Sequence, residues 1–91
     1  MSESIGRQAP TVSGEELGED LSLFDSATGT AVALNGTARD IWALVDGKAS
    51  VDDVVATLAQ AYRVEPGDIE GDVRAALERL VSEGFIVPSA P

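Results

Sequence analysis

The side chains able to do chemistry in this chain are almost all carboxylates: sixteen Asp and Glu stand against six Lys and Arg, with no histidine and no cysteine. The absent imidazole removes the usual general base and the commonest zinc ligand. The absent thiol removes disulfides and thiolate metal sites. What remains is paired-carboxylate chemistry of the glycosidase kind, a solitary lysine, Lys48, in a turn, and the hydroxyl of Ser26 in another turn. Two working carboxylates need a cleft that a domain this small supplies with difficulty, and Ser26 has no histidine to activate it. The acids that open the later helical segments, such as Asp52, Asp53 and Asp68, read as capping groups, because their spacing does not converge several oxygens on a cation. Gly29, Gly36 and Gly47 are isolated turn glycines, not a phosphate cradle. The sequence therefore points away from an enzyme, a metal and a cofactor, and toward binding.

Charge and length narrow the partners. The formal charge of −10 is spread along the chain, from Glu15, Glu16, Glu19 and Asp20 to Asp68, Glu70 and Asp72, and such a field repels phosphate backbones. Some of these acids can attract Lys or Arg on a peptide; most serve as a solvated face. No apolar run approaches a bilayer span, and the start lacks a basic region followed by an apolar one. The expectation is a cytoplasmic protein that engages neither nucleic acid nor membrane. Ninety-one residues make one small domain with a modest core, so its own stability is marginal.

The elements follow from periodicity. Residues 1–9 are small and polar without period, and Pro-Ser-Ala-Pro after Val87 cannot continue a ladder, so residues 1–9 and 88–91 are expected to be disordered around a folded domain over 10–87. Between Val12 and Leu34, turn signals at Gly18-Glu19-Asp20 and Asp25-Ser26-Ala27-Thr28-Gly29 separate three short strands. In the second, Leu21, Leu23 and Asp25 face one side and Ser22 and Phe24 the other; in the third, Val32 and Leu34 oppose Ala31 and Ala33. Asn35 or Thr37 then caps a helix over 38–45 whose stripe is Ala38, Ile41, Trp42 and Val45, with Trp42 in the core. Asp46-Gly47 stops it. Ser50 and Asp53 form a capping box for a second helix with Val51, Val54, Val55 and Leu58 buried, ending near Tyr62, a packing residue with its hydroxyl at water. Pro66 to Asp68 start a third, striped by Ile69, Val73, Ala76, Leu77 and Leu80 and ended by Gly84. The fold class is α+β: a three-stranded antiparallel sheet followed by three helices, like a winged helix-turn-helix.

That anatomy raises DNA binding as an alternative. The segment that would enter a groove, 66–83, carries Asp68, Glu70, Asp72, Glu78 and Glu83 against Arg74 and Arg79, the wrong balance for a phosphate duplex. An acidic carrier protein also has this length, but no Asp-Ser-Leu attachment site opens a helix here.

The run Leu34-Asn35-Gly36-Thr37-Ala38, then Ile41-Trp42, Asp46-Gly47, Val51 to Leu58, Tyr62, Asp72-Val73, Leu77, Leu80 and Gly84-Phe85-Ile86 resembles the coenzyme PQQ synthesis protein D family and the related recognition elements of ribosomally made, modified peptides. The resemblance spans about residues 20–87; Gly36 stands where the family often has a charged residue. It implies a non-catalytic protein that grips the leader of a precursor peptide. It is most similar to the stand-alone proteins of lasso-peptide biosynthesis, where a separate leader peptidase acts, and is compatible with serving a radical SAM enzyme in PQQ-type assembly. The resemblance further implies that the leader adds as a strand along Thr30, Ala31, Val32, Ala33 and Leu34, facing a third-helix wall of Val73, Ala76 and Leu80 with Asp72 and Arg79 at its rim. Small Ala31, Ala33 and Ala76 would leave room for a bulky leader residue. An open strand edge also permits pairing with a second copy, so either a monomer or an edge-paired homodimer is expected.

Overall fold

The structure, a computed structural model, describes residues 4–89. Its elements in chain order are β1 (Gly6–Gln8), β2 (Val12–Leu17), β3 (Asp20–Asp25), β4 (Thr30–Leu34), α1 (Gly36–Ala43), α2 (Val51–Tyr62), α3 (Pro66–Ser82) and β5 (Ile86–Pro88). Strands β2, β3 and β4 form an antiparallel sheet in that order, with Leu23 opposite Val32 and Leu21 opposite Leu34. The alternation read from the sequence sets its faces. Leu23, Val32 and Leu34 are buried against the helices, while Phe24 and Ala31 are exposed on the other side.

The turns and caps hold these strands in register. Asp25, almost wholly buried, accepts from the Thr11 hydroxyl at 2.7 Å and from the Ala27 amide at 2.9 Å, so its carboxylate braces the β3–β4 turn. Gly29 closes that turn at φ 75, a left-handed conformation that glycine adopts without a Cβ clash. At the end of β4, Asn35 is the residue that caps α1, its side chain accepting from the Ala38 amide at 3.1 Å. Ser50 and Asp53 make the reciprocal box expected for α2, at 3.0 and 2.9 Å. At the start of α3 the Asp68 carboxylate accepts from the Glu65 amide at 3.3 Å and the Asp68 amide donates to the Glu65 carbonyl at 2.9 Å, with Pro66 in the first turn.

Between sheet and helices lies one core. Leu23, Val32 and Leu34 meet Ile41, Trp42 and Val45, the α2 face Val54, Val55 and Leu58, and the α3 face Val73, Leu77 and Leu80, closed by Phe85 and Ile86. Trp42 is buried, as its place on the stripe predicts. Tyr62 is 38% exposed, and its hydroxyl, at the surface, also donates to Asp40 and so ties the end of α2 to α1.

The start of the chain departs from the expectation of disorder. Residues Gly6–Gln8 form β1, antiparallel to β5 with Gly6 opposite Pro88 and Gln8 opposite Ile86. The Ile5 amide donates to the Ala49 carbonyl, the Ala9 amide to Phe85, and the Gln8 side chain to the Trp42 carbonyl, each at 2.9 Å. Pro88 ends its strand, where a missing N–H costs least. The expected disordered segments at 1–3 and 90–91 lie outside the described residues. Small side chains hide this ribbon: β1 buries Gly6, and Ala9 follows it, so no apolar alternation announces a strand.

Gly6 sits at φ 133, and a Cβ there would come within 2.1 Å of the Val87 carbonyl oxygen. Gly6→Ala is therefore expected to separate β1 from β5 at a cost of about 2 kcal/mol, read as a lower midpoint in urea unfolding. The bond to Asp40 raises the Tyr62 phenol above its ordinary value of 10.0, with partial burial adding to the effect. Stability from that bond is fully present below about pH 10 and disappears as pH climbs through the raised value. Tyr62→Phe should thus cost about 0.5 kcal/mol at pH 7, a small figure because the pair is exposed. The difference from wild type should shrink in melts as pH rises past 10.0 and through the raised value.

Candidate functional site

A three-stranded sheet has two outer edges, and their residues are not alike. On one, β4 is paired only with β3, so the far side of Thr30–Leu34 carries backbone groups with no strand beside them among the described residues. No residue of β4 is charged. On the other, β2 places Glu15 and Glu16 at the edge, and Arg39 of α1 binds both the Glu16 carboxylate and, at 3.4 Å, the Glu19 carbonyl. Charged side chains on an edge disfavour an incoming strand. The protein thus offers β4 and guards β2.

The side chains of β4 divide by face. Val32 and Leu34 point into the core. Thr30 is half-buried and is held to the turn by Thr28, whose hydroxyl lies 2.9 Å from its own. Ala31 and Ala33 stand on the outer face opposite Phe24 and Ser22. They therefore do not share a space with Ala76: the expectation that these three alanines together admit one bulky residue is not met, because strand alternation sends two of them to the far side of the sheet.

The space near Ala76 is nevertheless real. A hollow of about 280 Å³ lies past the end of β4, lined by Asn35, Thr37, Ala38 and Ile41 on one side and by Asp72 and Ala76 on the other. Half of its wall is the first two turns of α1, which lie outside the wall expected from the sequence. The signal for it was present: once Asn35 caps a helix directly after Leu34, that helix must begin beside the strand's end. The α3 residues also split. Asp72, Ala76 and Arg79 recur at i, i+4 and i+7 on one stripe that runs on from the hollow. Val73 and Leu80, at 0% and 2% exposure, are turned into the core and lie behind that stripe, not on it.

Electrostatically the hollow is mixed. Asp72 is the one charged group in its lining. Arg79 is paired with Glu83 at 3.0 Å and Arg74 with Glu70 at 3.0 Å, so both cations of this helix are engaged by acids of the helix or its C-cap. That arrangement further weakens any fit to a phosphate duplex. The described residues hold no group of three or more acids placed to bind a metal ion, and no helix is long and apolar enough to cross a membrane. An uncharged open edge beside a half-apolar hollow is equipped to take an extended peptide: main-chain bonds along β4 and a side chain lodged at its end.

Comparison with known proteins gives the fold and the family. No curated protein matches the sequence. Two solved structures share the fold: TbiB1 in complex with the TbiA(beta) leader peptide, at TM-score 0.79 and 21% identity over 93% of this chain and 99% of that one; and lasso peptide synthetase B1 complexed with the leader peptide, at TM-score 0.77 and 30% identity over 90% and 96%. The pattern of coenzyme PQQ synthesis protein D matches residues 20–86, from the start of β3 to the start of β5. The chain belongs to the coenzyme PQQ synthesis protein D family.

Proposed function

We propose that this protein binds the leader segment of a ribosomally made precursor peptide, taking it as an added strand on β4, and presents it to a separate leader peptidase in lasso-peptide-type biosynthesis. The observation that carries the reading is the contrast between the two sheet edges: the uncharged β4 edge adjoins a hollow able to receive a side chain, while β2 is guarded by acids. The likeness to a lasso peptide synthetase B1 complexed with its leader supports the ligand class. A binding role without catalysis fits a chain that has neither histidine nor cysteine. Membership of the PQQ family supports a second reading, in which the same edge presents its peptide to a radical SAM enzyme.

In either reading the peptide's backbone pairs with Thr30 to Leu34, and its alternate side chains point to the outer face beside Ala31 and Ala33 or inward past the end of the strand. One of the inward ones enters the hollow against Ala76, where Asp72 meets a basic or hydroxyl group. Arg79, further along the stripe, borders the path. Val73 and Leu80 support the site from behind without touching the peptide.

The test is fluorescence anisotropy with labelled leader peptides encoded beside the gene. Single N-methyl substitutions along the peptide should weaken binding at every second position, because only alternate amides of an added strand face β4; a flat or helical-period profile would refute strand addition. Ala76→Trp is expected to fill the hollow and lower affinity at least about tenfold while the circular dichroism melt stays close to wild type. Neighbouring residues should separate cleanly. Val73→Ala should cost about 2 kcal/mol of stability from the lost core volume, whereas Asp72→Ala should leave the unfolding midpoint within about 0.5 kcal/mol and instead reduce affinity and its dependence on salt.

A further inference from the structure

Helix α1 has a second working face. Ala38 and Ile41 line the hollow beside β4, but Asp40, Ala43 and Leu44 lie on the other side of the helix, against α2. There two adjoining hollows of about 320 and 210 Å³ share Ala43, Leu44 and Thr57, making one groove along the α1–α2 seam. Its floor is apolar at the Tyr62 end, through Leu44, Leu58 and Ala61, and mixed at the other, where polar groups surround Val54. Its charged residues are all acids: Asp40, Asp46 and Asp53, each exposed, and no basic residue lines either hollow.

Those carboxylates are fixed in place. Asp40 accepts from the Tyr62 hydroxyl, Asp46 from the Lys48 and Ala49 amides at 2.8 Å, and Asp53 from the Ser50 amide at 2.9 Å. The two amide bonds hold the Asp46 carboxyl below its ordinary range, so it is ionised throughout the physiological interval. Each acid retains lone pairs toward solvent, since an ionised carboxylate has about four acceptor sites. A rim of fixed carboxylates, offset in part at Asp46 by the neighbouring Lys48, beside a floor that is apolar at the Tyr62 end suits a ligand that is apolar on one stripe and positive along its flanks.

We propose that the α1–α2 groove docks a basic amphipathic segment of a second protein, its apolar residues on Ala43, Leu44 and Leu58 and its Lys or Arg side chains against Asp40, Asp46 and Asp53. A second copy of this chain is a poor occupant. It carries the same charge of −10 and only six basic residues, of which Arg39, Arg74 and Arg79 are already paired with acids of their own chain. Nucleic acid is repelled by the same rim. Because α1 stands between the groove and the β4 edge, an occupant here leaves the edge free, and the two surfaces can be filled together.

The probe is a synthetic peptide of leucine and lysine only, with leucines at i, i+3, i+4 and i+7, titrated into the 15N-labelled full chain. Amide shifts are expected to saturate and to cluster over residues 40–46 and 53–62. Thr57→Arg, which places a cation in the middle of the groove, should weaken binding at least about tenfold, whereas Ser13→Arg, adding the same charge on the sheet, should change it by less than about twofold. Equal losses in the two variants, or shifts scattered over the acids of β2 and α3, would reduce the effect to general attraction and overturn the proposal. So would an absence of saturable binding, or shifts confined to Thr30–Asn35, which would mean that the peptide had taken the strand edge instead. Concentration-dependent dimerisation lost in Thr57→Arg would replace the partner protein with a second copy.

Discussion

The open edge of β4 is the constraint around which the rest of the structure is arranged. That strand has to bury Val32 and Leu34 on one face, pair with β3 along one side, and leave its other side unpaired. Unpaired main-chain groups are tolerated only where water or a ligand can reach them, and among the described residues no strand lies along the far side of β4. Charge then decides which edge stays available. With acids on β2 and none on β4, an extended chain of any sequence meets electrostatic and desolvation penalties at one edge that it does not meet at the other.

The corner from β4 into α1 joins this edge to the candidate site. Leu34 is buried and Asn35 caps the helix at the next position, so the strand cannot run on and α1 cannot begin elsewhere. Two consequences follow from one short connection. The first turns of α1 become a wall of the hollow at the end of the strand, and the opposite face of the same helix becomes a wall of the acidic groove against α2. Arg39, reaching from α1 to Glu16 and the Glu19 carbonyl, fixes the helix against the far end of the sheet, so that both surfaces are held by one rigid element.

Much of this was legible because short-range chemistry dictates it. The Ser50–Asp53 box, the proline start of α3 and the alternation of Leu21, Leu23 and Asp25 each depend on neighbours within a few residues, and the structure has them as the sequence implies. The β1–β5 ribbon was illegible for the converse reason: its partners are some eighty residues apart, as Gly6 opposite Pro88 shows, and it is built from small residues whose burial leaves no period. The candidate site failed in the same manner. Each face of β4 could be read from alternation alone, but which of its alanines lies near Ala76 depends on where the helices pack. Val73 and Leu80 satisfy the periodicity of a wall as well as of a core; their near-complete burial in the three-dimensional packing decides for the core.

Strand addition by itself leaves little room for selectivity. Ordering each peptide residue along β4 costs about 1–2 kcal/mol of backbone entropy, while each main-chain hydrogen bond returns a net of about 0.5–1.5 kcal/mol. Over a strand as short as Thr30–Leu34 the two nearly cancel, and the bonds are the same for every sequence. Discrimination must therefore come from side chains, and the inward positions along most of β4 are already filled by Val32 and Leu34. An inward space at this edge is the hollow beyond Leu34, where Ala38 and Ala76 are small enough to leave volume and Asp72 supplies the one charge of the lining. A peptide recognised here would be chosen by a residue at one end of its added strand, with the rest of that strand setting direction and register.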